Sequence, residues 1–541
     1  MEIPELTLSF PRRLGSRLRG NDIGWIFHRL AILAFILFVL ANAWVSEDAY
    51  ITLRVLDNFF NGYGLRWNIN ERVQAYTHPL WLLLHIPISA VLANLFLTNV
   101  LLSVFCSTGA LLVTLATVRR PLLATLSLLY MPLFASRALR DYSSSGLENP
   151  LSYLLFAAFG YVMVKRRNDA NFWFWCSLIV SLSLFNRLDT IILYAPALLW
   201  LACTRLRDIR WKQVMFGALP LLAWFAFALL YYGFLFPNTK YAKLDTGVPT
   251  FRYVSHGISY ARYTILTDTI TALEIFTSLI FIAFALRRSS PGASLFPASI
   301  AMGVVWYVLY VLAIGGDYML GRFWALPAFA GIWLVYVFMP QKISRKALCA
   351  IAALLLIVGA PFPTSQYLRR YCPACNMNPH PMIDAKWMFQ GNFFIPKLWP
   401  LTFNTDAHHK FVGWAAPLAR KAPMHVEKAH FIGMLGYYAG PGNVLIDELA
   451  LADPLLARLP FVPDEGFFIG HFRRTIPEGY LYAVKTGSTE KMDPSLALYY
   501  EKLRLITSGD LFDPERLKTI VAFNLGRYDH WKRDYLNCSI W

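Results

Sequence analysis

Two adjacent carboxylates, Glu47 and Asp48, stand in SEDAYITLR (Ser46 to Arg54), directly after an apolar run. A carboxylate pair at a membrane boundary is costly to keep without a task. Either residue can serve as a general base, with Arg54 able to hold one of them ionised. Ser-Glu-Asp is equally good N-terminal capping chemistry, so an exposed acidic helix start accounts for the same residues. The text that follows, NGYGLRWNINERVQAYTHPLW (Asn61 to Trp81), adds Gly turns, Trp67, Trp81, Arg72 and His78.

The elements that must position these residues are membrane helices. The chain has 541 residues, 57% hydrophobic and 15% charged, with a mean hydropathy of +0.43. Soluble domains carry about 25% charged residues, so this composition excludes a soluble enzyme and a disordered protein. Apolar runs of about 17–25 residues, each long enough to cross a bilayer, recur along the first two thirds. The net charge of +17 comes from short basic clusters between those runs. Such clusters are topology signals rather than a nucleic-acid surface. Cys106, Cys176, Cys203 and Cys349 lie in or beside apolar runs and pack as small hydrophobes. Cys372 and Cys375, in YCPAC, can close a small disulfide in an oxidising compartment. No second C-x-x-C and no H-x-x-x-H accompanies them, which argues against zinc.

Placing every basic cluster in the cytoplasm predicts spans near 25–45, 98–118, 121–137, 150–164, 171–186, 189–204, 213–234, 268–286, 293–314, 323–340 and 347–363. The expectation is an α-helical polytopic membrane protein of eleven helices. His78 to Leu97 is left as a re-entrant or interfacial segment on the outer side. Residues 1–24 form a basic cytoplasmic N-terminus and 25–363 the transmembrane core. From residue 364 the composition turns polar and Pro/Gly-punctuated, which predicts an extracytoplasmic α/β domain over 364–541. Within it Asn443 to Asp447 reads as a strand, and Ala450 to Leu459 and Asp493 to Ile506 read as helices. This topology sorts Glu47, Asp48, Asp57, Glu71, Asp141, Glu148, Asp189, Asp245 and Asp317 to the outer side. A transporter for lipid-linked sugars, the rival reading, would place its charges near the midplane instead. Carboxylates gathered at one face point to a catalytic cavity opening outward.

The motifs carry a resemblance. After the acidic pair come Ala49-Tyr50-Ile51, then Gly62, Gly64, Leu65, Trp67 and Asn68, then Arg72, Val73, Tyr76, Thr77, Pro79, Leu80 and Trp81. This resembles the first outer loop of polyprenyl-phosphate-dependent arabinofuranosyltransferases, with mycobacterial and pilin-modifying members. The family's Asp-Asp is Glu47-Asp48 here, so the resemblance carries the catalytic carboxylate to Asp48 more securely. Further matches are SSGLENPL (Ser144 to Leu151), NRLDT (Asn186 to Thr190), YYGFLFPNTKYAK (Tyr231 to Lys243) and GGDYMLGRF (Gly315 to Phe323). In the last, Tyr318 and Leu320 replace the family's Phe and His. YYAGPGNVLIDELALADPLLARLP (Tyr437 to Pro460) and IGHFRRTIPEGYL (Ile469 to Leu481) extend the likeness into the C-terminal region.

The resemblance implies a bacterial inner-membrane transferase with its site on the periplasmic face. It would move a sugar, most naturally D-arabinofuranose, from a polyprenyl-phosphate donor to a hydroxyl of a glycan or a protein such as pilin. Nucleotide sugars are absent outside the cytoplasmic membrane, so an outward-facing transferase needs a lipid-carried donor whose phosphate is held by fixed cations. Arg187 and Arg322, at outer helix ends, and Lys240 and Lys243, in an outer loop, are placed for that; snorkelling to headgroups is the alternative for each. His78 can contact sugar or phosphate, or cap the re-entrant segment. Trp67, Trp81 and Trp324 can stack on sugar or isoprenoid, or form an ordinary aromatic belt. Glu148 and Asp317 can orient the donor's hydroxyls, or make plain ion pairs with Arg322 and Arg140; Asp189 can orient the guanidinium of Arg187, and Asp317 that of Arg322. No ligand spacing decides for or against a divalent cation, and the resemblance implies neither another cofactor nor nucleic acid.

Overall fold

The computed structural model describes residues 20–244, 246–287, 295–359, 382–388, 410–421, 424–461 and 469–538. The chain is mostly helical. It begins with α1 (Gly20–Ala41), α2 (Glu47–Phe60), α3 (Pro79–Leu92) and α4 (Leu95–Thr117). The short α5 (Leu122–Thr125) and α6 (Met131–Ala135) are joined by a π turn, and α7 (Arg137–Tyr142) follows. Next come α8 (Asn149–Lys165), α9 (Phe172–Asn186), α10 (Ile191–Arg205), α11 (Trp211–Tyr231), α12 (Asn238–Leu244) and α13 (Thr250–Thr267). The series ends with α14 (Thr269–Arg287), α15 (Leu295–Ala313), α16 (Ala325–Phe338) and α17 (Arg345–Gly359).

Helix lies over each stretch expected to span, but most of these helices are short. Among the described residues, Leu95–Thr117, Leu188–Asp208, Trp211–Tyr231 and Leu295–Ala313 are long and apolar enough to cross a bilayer. Helices α13 and α14 pass only as a pair bent by 111°, which makes five at most. Helices α9, α16 and α17 have 15, 14 and 15 residues. At 1.5 Å per residue that is about 21–23 Å, short of a hydrocarbon core of about 30 Å. His78 to Leu97 is broken in the middle: α3 ends at Ala93 in the left-handed region (φ 50°), and α4 starts at Leu95.

Helix α2 is polar in composition yet buried along nearly its whole length, because the C-terminal region lies over it. Tyr50 packs against Tyr437 and Tyr438 at ring-centre distances of 5.4 and 5.8 Å. One continuous core joins α2 and the membrane helices to Ile432, Met434, Leu445, Ile469 and Phe472 of that region. A second, smaller core wraps Phe234 and Ala242 with Leu455, Tyr480, Leu503 and Phe523.

Among the described residues the sheet is a parallel pair, β1 (His425–Ala429) and β2 (Asn443–Asp447), bridged by a helix over Met434–Ala439. The expected strand is thus β2, and the helix expected over 493–506 runs from Pro494 to Ser508. The helix expected over Ala450 to Leu459 is instead a chain of turns with one 3-10 turn at Leu456–Arg458. Its carboxylates took the backbone N–H groups that a helix would have used: Asp447 accepts from Leu449 and Ala452, and Asp453 from Leu455 and Leu456. Cys372, Cys375, Asp245 and the expected boundary at 364 lie outside the described residues.

Candidate active site

Several chain segments bring the site together. Asp48 sits in the first turn of α2, which Ser46 caps by accepting from the Ala49 N–H. The loop before α8 is stitched to that turn: Ser46 N–H donates to the Ser145 carbonyl at 2.8 Å, and Trp81 Nε1 donates to the Gly146 carbonyl at 3.1 Å. Gly146 has φ +82°, and a Cβ there would come within 2.9 Å of the Ala49 Cβ, so only glycine allows this approach. The stitching delivers Glu148, fully buried at the head of α8, beside Asp48's helix.

Arg187 ends α9, and Asp189 lies in the 3-10 turn that leads into α10. The turn between α15 and α16 supplies Asp317, Tyr318 and Arg322. Gly316 bends it at φ +69°, where a Cβ would meet the Tyr260 ring at 2.6 Å, and the Tyr260 hydroxyl donates to the Met319 carbonyl at 3.0 Å. Helix α12 adds Lys243.

These residues form one ionic network. Arg322 Nη1 lies 3.0 Å from Asp48 Oδ2 and 3.4 Å from Asp317 Oδ2, and Nη2 lies 3.8 Å from Glu148 Oε1. The Tyr318 hydroxyl donates to Asp48 Oδ1 at 2.8 Å. Arg187 grips Asp189 with Nε and Nη2, at 2.8 and 2.7 Å, and Glu148 with Nη1 at 2.7 Å. His78 Nδ1 is 3.1 Å from Glu148 Oε2, and its Nε2 is 2.8 Å from the Thr52 hydroxyl. The Tyr307 hydroxyl donates to Asp189 at 3.0 Å.

Two cationic positions keep unspent capacity. Arg322 Nε is buried and has no hydrogen-bond partner among the described residues. Lys243 has no carboxylate within ion-pair distance among the described residues, although Asp48 and Asp317 both act on its charge. Asp48 is the most open carboxylate of the network, with 21% of its side chain exposed against 0% for Glu148.

Burial and charge pull against each other here. Burial alone would raise the Glu148 pKa, but His78 and Arg187 hold it well below the usual range. Burial raises Asp317, with Arg322 and Lys243 opposing. Burial lowers Lys243, against the pull of Asp48 and Asp317. His471, whose ring meets Tyr318 edge-on at 4.5 Å, is pushed down to about 4 by burial and then by Lys243, so it is neutral.

The remaining expected residues lie apart from this network. Glu47, next to the base candidate, turns away: its Oε1 accepts from Gly433 N–H at 2.7 Å and Met434 N–H at 3.3 Å in the C-terminal region. Burial, then Asp48, raises its pKa to about 8. Arg54 is buried against backbone, donating to the carbonyls of Trp67, Gly436 and Asn443, with its guanidinium 4.3 Å from the centre of the Trp67 ring. Trp67, Trp81 and Trp324 are each buried in the core. Lys240 is exposed and lies 3.8 Å over the Phe236 ring. Arg140 pairs with Asp141. Sequence reasoning missed Tyr318, Tyr307 and His471 as site residues. Tyr307 carries no signal in an apolar helix, whereas Tyr318 and His471 each sat in a quoted motif. Among the described residues, no group of three or more His, Cys, Asp or Glu side chains is arranged to hold a metal ion.

No protein-family model and no solved structure matches the chain. Curated relatives include a terminal β-(1→2)-arabinofuranosyltransferase of Corynebacterium glutamicum, 25% identical over 65% of this chain and 57% of that protein. The match thus spans little more than half of that relative's length. A terminal β-(1→2)-arabinofuranosyltransferase of Mycobacterium tuberculosis is 22% identical over 85% of each chain. Together these two similarities support, at moderate identity, the arabinofuranosyltransferase family that the motifs resemble.

Proposed function

We propose that this chain is a multi-pass membrane glycosyltransferase that moves D-arabinofuranose from a polyprenyl-phosphate donor to a hydroxyl of a glycan or protein. The observation that carries the reading is the setting of Asp48. An accessible carboxylate is oriented by Tyr318 and Arg322, with Arg322 Nε unpaired and Lys243 not ion-paired among the described residues. In the proposed reaction the donor phosphate takes up Arg322 and Lys243. That loosens the Arg322 grip on Asp48, which accepts the acceptor proton as its oxygen attacks the anomeric carbon. The bond to phosphate breaks in the same displacement, so the sugar is inverted. Phosphate leaves without a general acid. Arg187, with three nitrogens already committed to Asp189 and Glu148, positions Glu148 rather than gripping the donor.

The proposed topology keeps eleven helical passes, with the N-terminus in the cytoplasm and the site and C-terminal region in the periplasm. The shorter helices would cross where the bilayer thins around them. Purified protein in lipid, given polyprenyl-phosphoryl arabinofuranose and an acceptor glycan, should form a glycosidic product detectable by mass spectrometry. Donor binding without product would favour the lipid-linked-sugar transporter or binding protein. Reporter fusions after Arg120 and after Pro363 should report inside and outside, and an outside signal after Arg120 overturns the topology.

A further inference from the structure

Far from the ionic network, the helix Pro514–Asn524 presents two different faces. Inward, Arg516, Thr519, Ile520 and Phe523 are buried. Outward, Leu517, Val521 and Leu525 follow one another at four-residue spacing and are 37%, 60% and 67% exposed, with Phe512 before the helix at 74%. Soluble surfaces seldom leave such a stripe open to water.

Its position says what covers it. Arg516 Nη2 donates to the Tyr231 carbonyl at 3.1 Å, and Asn524 Nδ2 donates to the Gly233 carbonyl at 2.8 Å. Tyr231 is the last residue of α11, a helix long and apolar enough to cross a bilayer and only 17% buried by the rest of the chain. Leu229, Leu230 and Leu235, around the same end, are also exposed, at 37%, 36% and 40%. Tyr231 itself, stacked on Phe227 at 5.0 Å, is a residue type enriched at the level of lipid headgroups. Lys518 and Arg527 are exposed and without an ion pair among the described residues, beside the equally exposed Glu515, so the charges around the stripe are of both signs.

We propose that Pro514–Asn524 is an interfacial anchor that sets Leu517, Val521, Leu525 and Phe512 among the acyl chains of the leaflet at the Tyr231 end of α11. The occupant is a phospholipid surface: the stripe lies on a helix bonded to the end of α11, where that helix's own leucines are uncovered. The anchor fixes the C-terminal region against the bilayer from a second side, independently of its seat on α2. The proposal rests on α11 crossing the membrane, and the test separates the two.

The photoreactive residue p-benzoylphenylalanine replaces Val521 or Leu525 in full-length protein reconstituted in vesicles of phosphatidylethanolamine and phosphatidylglycerol. Leu222, exposed on α11, serves as the bilayer control, and Lys485, exposed on the helix Tyr480–Thr486, as the water control. After illumination, intact-protein mass should show a phospholipid adduct at Val521 and Leu525 in yield comparable to Leu222, and none at Lys485. Adducts at Leu222 without adducts at Val521 and Leu525 overturn the anchor while α11 still stands as a span. Protein dimers captured at Val521 overturn it in favour of a second copy as the occupant. No adduct at Leu222 overturns both readings.

Discussion

Arg322 and Asp48, 274 residues apart in the chain, meet at 3.0 Å. Because Tyr318 donates to the other oxygen of the same carboxylate, Asp48 is fixed in direction and only its outer edge remains open. A base held in this way loses its reactivity when it loses its charge, with little change in shape.

Asp48→Asn should therefore abolish transfer while the protein still folds. Losing a positioned general base costs about 10²–10⁴ in rate. Turnover of the variant in reconstituted vesicles, beside a donor-binding measurement, checks this. Near-normal turnover would take the chemistry away from Asp48.

Glu47 should report through pH rather than through chemistry. Its carboxyl is raised from 4.5 to about 8, chiefly by burial. The folded chain thus holds this proton more tightly than the unfolded chain. The stability tied to it is fully present below 4.5 and is lost as pH rises through about 8. Asp447, raised to about 7, and Asp453, raised to about 6, contribute in the same sense. Glu47→Gln can still accept from Gly433 and Met434, so it should keep the contact and reduce the fall in stability by about one proton. Thermal unfolding in detergent across neutral pH measures the slope. An unchanged slope means that Glu47 does not titrate there.

The cations should separate by position. Arg322→Lys keeps the charge but loses the planar fork and the free Nε, so donor KM should rise about tenfold or more. Lys243→Gln should act in the same direction, whereas Lys240→Gln, on an exposed side chain, should stay within about twofold. Arg187→Lys should lower kcat more than it raises donor KM, because Glu148 loses the shortest of its three contacts. Turnover against donor concentration decides. Unchanged kinetics in both the Arg322 and Lys243 variants would place the phosphate elsewhere.

Arg54→Ala should loosen the C-terminal region, although Arg54 itself bonds only to backbone carbonyls and to no member of the ionic network. It removes a donor from three buried carbonyls, of which that of Trp67 keeps the Asn58 amide at 2.9 Å; each carbonyl left unpaired costs about 1–3 kcal/mol. Arg54→Lys should fail to rescue, since an ammonium cannot reach all three or stack on Trp67 in the same way. Faster proteolysis of the region beyond residue 410 would show the effect. A wild-type cleavage pattern would mean that the seat on α2 does not need Arg54.

Most of the network was legible because its members stand at helix ends in a chain otherwise poor in charge. Asp48, Glu148, Arg187, Asp189, Asp317 and Arg322 each interrupt apolar text, and the cost of burying them marks them out. Residue chemistry alone could not separate Glu47 from Asp48, and only the resemblance favoured Asp48. They are neighbours of like chemistry, and their partners lie 386 and 274 residues away. Arg54 was hidden for a similar reason. A buried guanidinium is as well served by carbonyls as by a carboxylate, and carbonyls leave no trace in the sequence. The membrane region was legible by apolar run, but apolar length alone does not fix helix length: α16 has 14 residues where the run 323–340 offered more, because the turn through Gly321 and Arg322 delays its start to Ala325. The stretch Ala450 to Leu459 has the apolar content of a helix, but Asp447 and Asp453 spend its N–H groups in turns.

The adjacency of Glu47 and Asp48 has a mechanical consequence. One carboxylate is tethered to Gly433 and Met434, the other to the Arg322 turn, and a single peptide link of about 3.8 Å separates their Cα atoms. Any tilt of the C-terminal region on its seat is therefore transmitted to the open edge of Asp48 over the shortest lever a polypeptide offers. A ligand that pulls on that region acts on the alignment of the reacting carboxylate from a distance.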